Sequence, residues 1–560
     1  MNHCFNAGAH GVPLPLPKAF YVAPGCAGEA ELRRFLALCG AELAAAPGAD
    51  AATVEAVCVR SRALLYMESA RRVTEEGFHI TAEQPAAGGV RLRIEYAGLA
   101  GLWYAASALA FCAAQGRLPA SDLRGCPKFE NRGFLEGFYG TPWQPEQRRG
   151  MLHLLARHGM NCYFYAPKDD PYHRDRWEER YDPASLARLR ELIAFAGERQ
   201  VAFWYCLAPG LDIRYSDPAQ FDRLVAKLRQ VYDAGARHFG LLLDDIPEEL
   251  IHQEDVTSYG ETLNAHIDLV RRVLAALEAT DPANRLIVCP MQYHGRGDEY
   301  YIARLGQETP AAAELFWTGP NICSQELRTE DAMRFCLHTR HQPFYWDNYP
   351  VNDAEMFHEM HLGPLAGREP DLYRHCRGVA FNGMEYFECS KAPLLTGAAF
   401  LWDPEGYDPE AAWLAALEEL LGAEGARRFL PFGEQLFTSC LRQQNGPRMM
   451  AALEAAQTAH RAGDLGEALR ILQQLAAQMD DCRAFLAQSD HPMLAELQKW
   501  IKKYNQCCAL LHLAIECLQA PGDAALHRTL AEKMEIYNET AAVLTEFGFR
   551  AFIDKVLGLN

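Results

Sequence analysis

Short apolar runs alternate with amphipathic stretches through the middle of the chain, from about residue 130 to residue 385. Eight such runs recur, and each ends in polar residues or glycine: Phe134–Phe138, Cys162–Pro167, Val201–Cys206, Phe239–Leu243, Leu286–Cys289, Leu315–Trp317, Pro343–Trp346 and Gly378–Phe381. The stretches between them, such as Glu146–His158 and Pro183–Arg199, have the period and length of crossover helices. Eight strand–helix units over roughly 260 residues predict a (β/α)₈ TIM barrel, which we assign to residues 129–400.

Two other patterns flank this region. Residues 1–128 combine β-like runs with a helical stretch from Gly98 to Cys112, and in the run Val90–Tyr96 apolar and charged residues alternate, which predicts a small α/β domain. Residues 401–560 are rich in Ala, Leu, Glu and Gln and predict an all-α domain of stacked antiparallel helices. Its five helical segments are Ala411–Leu421, Met450–Ala462, Gly466–Gln478, Ala495–Leu518 and Ala524–Phe547. The chain is therefore expected to be an α/β protein of three domains.

Composition and charge restrict the possible partners. The 49% hydrophobic and 23% charged residues are typical of globular proteins. A formal charge of −19 argues against binding to nucleic acid or to an anionic membrane, because either would need a basic face. The 18 cysteines show no C-x-x-C pair and no zinc-site spacing, which indicates reduced thiols that pack as small hydrophobes. Because no secretory signal or transmembrane-length apolar run is visible, we expect a cytoplasmic location.

The most unusual local feature is a pair of adjacent aspartates, Asp244 and Asp245, directly after three leucines. A buried carboxylate is costly unless it is paired or used in chemistry, and two neighbouring carboxylates also repel each other. The alternative is a solvated helix cap, but a cap does not normally follow such an apolar run. Adjacent side chains on a regular strand point to opposite faces, so both can meet one ligand only if the strand has ended, which Pro247 favours.

The predicted strand ends supply a mixture of side chains suited to a polyhydroxylated substrate. Barrel active sites lie at the carboxyl ends of the strands, where aromatic rings can pack on sugar C–H groups while carboxylates and amides bind hydroxyls. In chain order these ends are Gly137, Lys168, Pro209–Asp212, the aspartate pair, Tyr293, Thr318, Trp346 with Asn348, and Asn382. For Lys168 alone, a salt bridge to Asp169 or Asp170 would be the favoured interpretation, but the motif that surrounds it reverses that preference in favour of a ligand contact. Asp212 is expected to anchor its loop.

Seven ordered motifs accompany these strand ends. They are Glu136–Trp143 (EGFYGTPW), Tyr165–Asp170 (YAPKDD), Ala208–Ile213 (APGLDI), Leu242–Ile246 (LLDDI), Cys289–Tyr293 (CPMQY), Trp317–Pro320 (WTGP), and Trp346–Asn348 (WDN) followed by Asn352–Asp353 and Leu362–Pro364. Together they resemble glycoside hydrolase family 84, the β-N-acetylglucosaminidases that include the enzymes removing O-linked GlcNAc from proteins. The flanking domains are also similar to those of bacterial members, though less specifically.

The resemblance implies a retaining exo-hydrolase of terminal β-linked GlcNAc, including O-GlcNAc on Ser or Thr, that needs no cofactor or metal. In this family the substrate's own acetamido oxygen attacks the anomeric carbon and forms an oxazoline, whereas ordinary retaining enzymes use a second carboxylate as nucleophile. By position, Asp244 would orient the acetamido group, and Asp245 would protonate the leaving oxygen and then activate water. The implied partner is a GlcNAc-bearing glycoprotein or glycan.

Further residues match binding positions of the family. Four match positions that bind the sugar hydroxyls: Gly137, Lys168, Asp353 and Asn382. Asn348 matches a position near the acetamido group, and four residues match the wall of the acetyl pocket: Cys289, Tyr293, Thr318 and Trp346. Two positions depart from the pattern. Gln292 replaces the Glu of some relatives, and Gly-Met-Glu-Tyr follows Asn382 in place of the Asn-Pro of several members.

Several alternatives stay open at this point. A metal-dependent hydrolase would use the two aspartates as ligands for a hard cation, and an inactive GlcNAc-binding protein would keep the pocket as a lectin-like site. A hexosaminidase directed at glycans, mucins or hyaluronan fragments would share the same residues, although the acidic chain disfavours a polyanion. His358 and His361 are three positions apart, which does not match the i, i+4 spacing of the zinc-protease motif.

Overall fold

A computed structural model describes residues 6–7, 14–48, 50–58, 76–85, 89–118, 122–443, 446–544 and 548–558. In these residues a closed barrel of eight parallel strands lies between an N-terminal mixed sheet and a C-terminal group of helices. The predicted α/β class with a central (β/α)₈ barrel is confirmed. The domain limits at 128/129 and 400/401 stay a prediction. The barrel strands span residues 131–382, and the helix after the last strand ends at Trp402.

The N-terminal elements are β1 (Asn6–Ala7), β2 (Leu14–Pro15), β3 (Ala19–Val22), α1 (Glu29–Leu38), β4 (Glu42–Leu43), β5 (Ala51–Cys58), β6 (Phe78–Glu83), β7 (Val90–Tyr96), α2 (Leu99–Ala114), β8 (Arg117–Leu118) and β9 (Asp122–Gly125). Seven of the strands form one sheet in the order β1-β9-β6-β7-β5-β3-β4, and β2 pairs with β8 in a separate two-stranded sheet. In β7 buried apolar residues alternate with more exposed charged ones. Helix α2 packs on β6 and β7, which explains why it is apolar on nearly all sides.

The barrel strands pair in chain order, and the first strand closes the barrel by pairing with the last. They are β10 (Asn131–Glu136), β11 (Cys162–Tyr165), β12 (Ala202–Leu207), β13 (His238–Leu242), β14 (Arg285–Cys289), β15 (Ala313–Trp317), β16 (Pro343–Asp347) and β17 (Gly378–Asn382). All eight predicted strands are present. Large rings fill the interior: Phe164 stacks on Trp204 at 5.2 Å between centroids, and Phe316 meets Phe344 edge-on at 5.4 Å. The barrel is therefore a packed core that is open only at its rim.

Helices surround the barrel, and two of them begin with an Asp-Pro pair. They are α3 (Pro145–Arg157), α4 (Pro183–Gly197), α5 (Pro218–Asp233), α6 (Gln253–Tyr259), α7 (Thr262–Thr280), α8 (Tyr300–Glu308), α9 (Thr329–Thr339) and α10 (Phe387–Trp402). The Asp182 carboxylate accepts hydrogen bonds from the backbone N–H of Ala184 at 2.9 Å and of Ser185 at 3.0 Å. Pro183 has the preset φ of a first helical residue, so the start of α4 is fixed locally.

The C-terminal helices pack around their own core, which includes Trp500 and Tyr504. They are α11 (Pro409–Gly433), α12 (Pro447–Arg461), α13 (Leu465–Gln488), α14 (Pro492–Glu496), α15 (Gln498–Gln519), α16 (Ala524–Glu539) and α17 (Phe549–Val556). The last predicted segment is shorter than expected, because α16 ends at Glu539 and the chain then turns to the barrel, where Val543 N–H donates to the His358 carbonyl at 2.8 Å. Residues 545–547 of that prediction lie outside the described residues. Among the helices described, none is long and apolar enough to cross a membrane.

A buried ion pair holds the end of strand β16. The Arg368 Nε donates to Asp347 Oδ2 at 2.8 Å, and a second guanidinium nitrogen contacts the other carboxylate oxygen. The remaining nitrogen donates to the carbonyls of Gln325 at 3.1 Å and Ala366 at 2.8 Å. Because every nitrogen of the guanidinium finds an acceptor, its burial is tolerated. The pair thereby fixes Asp347 in the strand end that also carries Trp346 and Asn348.

We expect Asp347→Ala to destabilise the protein, since an arginine buried without its carboxylate costs about 3 to 5 kcal/mol. The midpoint of thermal unfolding, measured by scanning calorimetry, should fall by several degrees. Glu191→Ala is the control, because it removes the exposed partner of Arg149 and exposed ion pairs contribute little. An Asp347→Ala protein that unfolds at the same temperature as the control would contradict the role given to this pair.

Candidate active site

The two aspartates lie just beyond the end of the fourth barrel strand. Strand β13 ends at Leu242, Asp244 is 8% exposed, and Asp245 is exposed. The backbone of Asp245 has φ of +51°, in the left-handed region that aspartate tolerates better than most residues. The chain therefore turns at Asp245 itself, two residues before Pro247. This turn allows both carboxylates to reach one cavity, as the ended strand predicted.

That cavity lies at the carboxyl end of the barrel and has a volume of about 470 Å³. All eleven candidate residues line it: Gly137, Lys168, Asp244, Asp245, Cys289, Tyr293, Thr318, Trp346, Asn348, Asp353 and Asn382. Residues that the sequence did not single out also line it: Tyr139, Ile322, Cys323, Val351, Ala354, Glu355 and Met356. The volume is in the range of small-molecule sites.

Asp244 is the more buried of the two aspartates, and its carboxylate lines the cavity. None of the described residues donates a hydrogen bond to it, although its residue is nearly buried. Its charge acts on the neighbouring Cys289, whose thiol pKa is raised well above its usual value, first by burial and then by Asp244. Cys289 is therefore a neutral, apolar wall residue, and the Asp244 carboxylate faces the cavity ready to accept a hydrogen bond from a ligand.

Asp245 is held by residues of two other loops, which follow strands β10 and β11. The hydroxyl of Tyr139 donates to its Oδ2 at 3.0 Å, and Arg174 Nη2 donates to its backbone carbonyl at 3.0 Å. Burial, followed by the charge of Asp245, raises the pKa of Tyr139 to about 12, so the phenol stays protonated. Tyr139 was missed in the sequence because single exposed tyrosines are common. Its place two residues after Gly137, inside the EGFYGTPW motif, was the available signal.

Lys168 does not form the salt bridge that its acidic neighbours suggested. Asp169 pairs with Arg148 at 2.9 Å, and Asp170 accepts hydrogen bonds from two tyrosine hydroxyls at 3.0 and 2.6 Å. The Lys168 ammonium instead lies 4.7 Å from the centre of the Tyr139 ring. In the described part of the chain no carboxylate comes within 4.0 Å of it. Its donors are therefore available to hydroxyl groups of a ligand.

A network of amides fixes the side of the cavity formed by strands β16, β17 and β10. Trp346 Nε1 donates to Asn348 Oδ1 at 2.9 Å, and Asn382 Nδ2 donates to the same oxygen at 3.2 Å. The backbone N–H of Gly137 donates to Asn382 Oδ1 at 3.3 Å. A Cβ at Gly137 would lie only 2.7 Å from the Trp346 ring, so glycine is required there. Asn382 thus has defined partners despite the unusual residues that follow it.

The remaining wall combines neutral side chains. Thr318 Oγ1 donates to the Asn321 carbonyl at 2.8 Å, and Thr318 N–H donates to the Tyr293 carbonyl at 2.8 Å. Burial, followed by the charge of Asp245, raises the pKa of Tyr293, which keeps its phenol protonated. With Cys289 and Trp346, these residues form a wall that carries no charge at neutral pH. Such a wall suits a small group like an acetyl.

The C-terminal helices hold a loop that lines the cavity. Asp353, whose pKa is raised by burial, accepts a hydrogen bond from Tyr139 N–H at 2.8 Å. Just beyond it, the Phe357 carbonyl accepts from Lys499 Nζ at 2.6 Å and the His358 carbonyl from Trp500 Nε1 at 3.1 Å. The helices carry no recognisable chemical motif, yet they fix the position of this loop. Sequence reasoning could not find such contacts, because they use backbone carbonyls.

Two residues considered in the sequence have structural partners. Asp212 accepts a hydrogen bond from Trp177 Nε1 at 2.7 Å, as expected of a loop anchor. His361 is buried, and its ring nitrogens contact Glu359 at 2.6 Å and the Val351 carbonyl at 2.8 Å. His361 therefore braces the loop between strand β16 and the cavity wall.

Comparison with known proteins identifies the family to which this arrangement belongs. The family model described as beta-N-acetylglucosaminidase matches residues 132–433, which contain the barrel and the start of the helical region. The chain belongs to the β-N-acetylglucosaminidases of glycoside hydrolase family 84. The match begins at β10 and includes every residue of the candidate site.

Individual relatives agree with this assignment. The protein O-GlcNAcase of Rattus norvegicus is 32% identical over 274 residues, which is 48% of this chain but only 29% of the rat protein. A variant of the O-GlcNAc hydrolase of Thermobaculum terrenum has 30% identity and a TM-score of 0.73, with 77% of this chain and 95% of that chain covered. CpGH84B matches 99% of this chain and 98% of its own with a TM-score of 0.82, and its 22% identity supports the fold alone.

Two cysteines of the candidate site should differ in reactivity. Cys289 carries a raised pKa, whereas the pKa of Cys323 is lowered, first by a hydrogen bond from the Cys440 thiol. Only thiolates alkylate readily and Cys289 is also the more buried of the two, so iodoacetamide at pH 7.5 should label Cys323 faster than Cys289. Peptide mass spectrometry over time measures both rates, and Cys323→Ser identifies the labelled peptide. Equal labelling of both cysteines, or faster labelling of Cys289, would contradict the conclusion that Cys289 is a neutral thiol in the cavity wall.

Proposed function

We propose that this protein hydrolyses terminal β-linked GlcNAc with retention of configuration, including O-GlcNAc on Ser or Thr, by substrate-assisted catalysis through an oxazoline. The observation that carries the proposal is the free, nearly buried Asp244 carboxylate beside an Asp245 held by Tyr139, in a cavity of about 470 Å³. Support also comes from the relatives named as a protein O-GlcNAcase and an O-GlcNAc hydrolase.

Asp244 is proposed to act on the acetamido group of the substrate. Its carboxylate has no donor among the described residues, so it can accept a hydrogen bond from the acetamido N–H. This contact would orient the carbonyl oxygen towards the anomeric carbon and stabilise the positive charge that develops as the oxazoline ring closes. A charge-assisted hydrogen bond in a nearly closed site is well suited to this task.

Asp245 is proposed to transfer the proton. Protonated Asp245 would donate to the glycosidic oxygen while the acetamido oxygen attacks, and the resulting carboxylate would then remove a proton from the water that opens the oxazoline. Its exposed position at the mouth of the cavity suits contact with both the leaving group and water. The first step breaks the bond to the aglycone and the second restores the original configuration.

No side chain of the wall is suited to act as an enzymic nucleophile. Burial raises the pKa of both Cys289 and Tyr293, and the charges of the aspartate pair raise them further, so both stay neutral. The proposal therefore assigns the nucleophile to the substrate. The hydroxyl groups of the sugar would be bound by Lys168, Asp353 and Asn382, and the acetyl group by the neutral wall with Asn348.

The activity can be tested directly with an aryl β-N-acetylglucosaminide. We expect hydrolysis that is blocked by a thiazoline mimic of the oxazoline and is unaffected by a chelator. Absence of hydrolysis together with measurable GlcNAc binding would support the inactive binding protein instead. Loss of activity with the chelator, restored by a divalent cation, would favour metal-dependent hydrolysis.

Substitution of each aspartate separates their roles. Asp245→Asn should lower kcat/KM by about 10²- to 10⁴-fold for poor leaving groups and much less for an activated dinitrophenyl leaving group, because only the former need the proton. Asp244→Asn should lower both. Asparagine also tolerates the left-handed backbone at position 245, so the fold is preserved. Equal losses for the two variants across leaving groups would refute the assignment.

The natural substrate can be narrowed by comparing rates on three classes. We expect glycopeptides carrying O-GlcNAc on Ser or Thr to be hydrolysed faster than chitobiose, and hyaluronan fragments to be the poorest substrates. The net charge of −19 opposes the approach of a polyanion. Preference for chitobiose or hyaluronan fragments would favour the glycan-directed alternatives.

A further inference from the structure

We propose that Tyr139 is a positioning residue for Asp245 and that Arg174 completes the hydrogen-bonded group which sets the direction of proton transfer. The inference rests on the proposed function, since it assigns a role in the step carried out by Asp245. Neither residue is among the candidate site residues named from the sequence, although Tyr139 lies inside the EGFYGTPW motif. Both are located by contacts that converge on a single aspartate.

The three residues form a closed set of contacts. The Tyr139 hydroxyl donates to Asp245 Oδ2 at 3.0 Å and accepts from Arg174 Nη1 at 3.3 Å. The other terminal nitrogen of Arg174, Nη2, donates to the Asp245 backbone carbonyl at 3.0 Å. One arginine therefore contacts both the residue being positioned and the residue that positions it. The phenol is polarised towards the carboxylate because its oxygen accepts a charged donor.

Asp245 needs such support because no other described residue forms a hydrogen bond with its carboxylate. It is exposed, lies beyond the strand end and has a left-handed backbone. Among the side chains described, Tyr139 provides the only hydrogen bond to its carboxylate. An exposed aspartate without a partner samples several rotamers, and only some of them would direct its proton into the cavity. The phenol restricts these rotamers, while Arg174 fixes the backbone.

Tyr139 is itself fixed from two sides, although its side chain is 47% exposed. Its backbone N–H donates to Asp353 Oδ2 at 2.8 Å, and its ring packs against the Lys168 ammonium at 4.7 Å. Asp353 follows strand β16, and Lys168 follows β11. Tyr139 itself follows strand β10, so loops after three different strands fix its position. Such a rigid setting is expected of a positioning group.

The hydrogen bond should strengthen during the reaction. As the glycosidic bond breaks, Asp245 loses its proton to the leaving oxygen and its carboxylate becomes negative. A donor already directed at that carboxylate stabilises the charge without reorganisation. The phenol remains protonated while this happens, since burial and the charge of Asp245 raise the pKa of Tyr139 to about 12. The benefit is therefore greatest for substrates whose leaving group requires the proton.

Tyr139→Phe tests this directly, because it removes the hydroxyl and retains the ring beside Lys168. We expect kcat/KM for a glycopeptide or alkyl glycoside to fall about tenfold, the size typical of a hydrogen bond to a charged group. The loss should be in kcat, with KM little changed, and the dinitrophenyl glycoside should be hydrolysed at nearly the wild-type rate. Tyr300→Phe is the matched control, since this 64% exposed tyrosine on helix α8 donates to Glu261, the residue before helix α7, and does not line the cavity.

The Arg174→Gln variant is a second, independent test of the positioning role. It should show the same selective loss, and the double variant should lose less than the product of the two single losses, because both act through Asp245. Thermal unfolding of each variant verifies the fold. Equal losses for poor and activated leaving groups, or no loss beyond that of Tyr300→Phe, would overturn the positioning role. A wild-type protein inactive on every substrate would instead overturn the proposed function, and this inference with it.

Discussion

The pairing of strand β10 with strand β17 is the interaction on which the candidate site depends. It closes the parallel barrel and brings Gly137 within hydrogen-bonding distance of Asn382, although the two are 245 positions apart in the chain. Because all eight strands run in the same direction, their carboxyl ends meet at one rim. Residues from loops that are distant in sequence therefore line one cavity. A strand out of order, or an open sheet, would leave the same side chains on separate edges.

Closure alone does not make the site, because a regular strand directs alternate side chains away from each other. The exception lies at Asp245, where the left-handed backbone turns the chain just past the end of β13. This local conformation has an energetic cost, and the surrounding contacts maintain it. Arg174 binds the carbonyl of Asp245, and Tyr139 binds its carboxylate. The strained residue and its supports form one unit, which is the pattern expected where backbone strain serves function.

Much of the fold could be predicted because a fully buried parallel strand is a short apolar run, and eight such runs at regular spacing have few other interpretations. That the candidate residues line one cavity could be predicted from their place at strand ends and from the motif resemblance, whereas their functional roles stay a prediction. Three features were not predicted. Arg148, on helix α3, pairs with Asp169, and no spacing in the sequence indicates that contact. The strand was expected to end before Pro247, but the left-handed turn at Asp245 was not specified. Tyr139 was not singled out, although it lies inside the EGFYGTPW motif, because its contacts with Asp245 and Asp353 join loops that are far apart in the chain.

The distribution of charge within the cavity gives the two aspartates different environments, as their proposed roles require. Burial keeps Cys289 and Tyr293 of the wall neutral, and among the described residues that line the cavity Lys168 is the one cation. Asp244 is nearly enclosed and has no donor among the described residues, so its carboxylate can accept a hydrogen bond from a ligand. Asp245 is open to solvent and already holds a donor. The proposed roles, in which one carboxylate accepts the substrate N–H and the other transfers a proton, would thus be distinguished by environment alone, since the two residues are chemically identical.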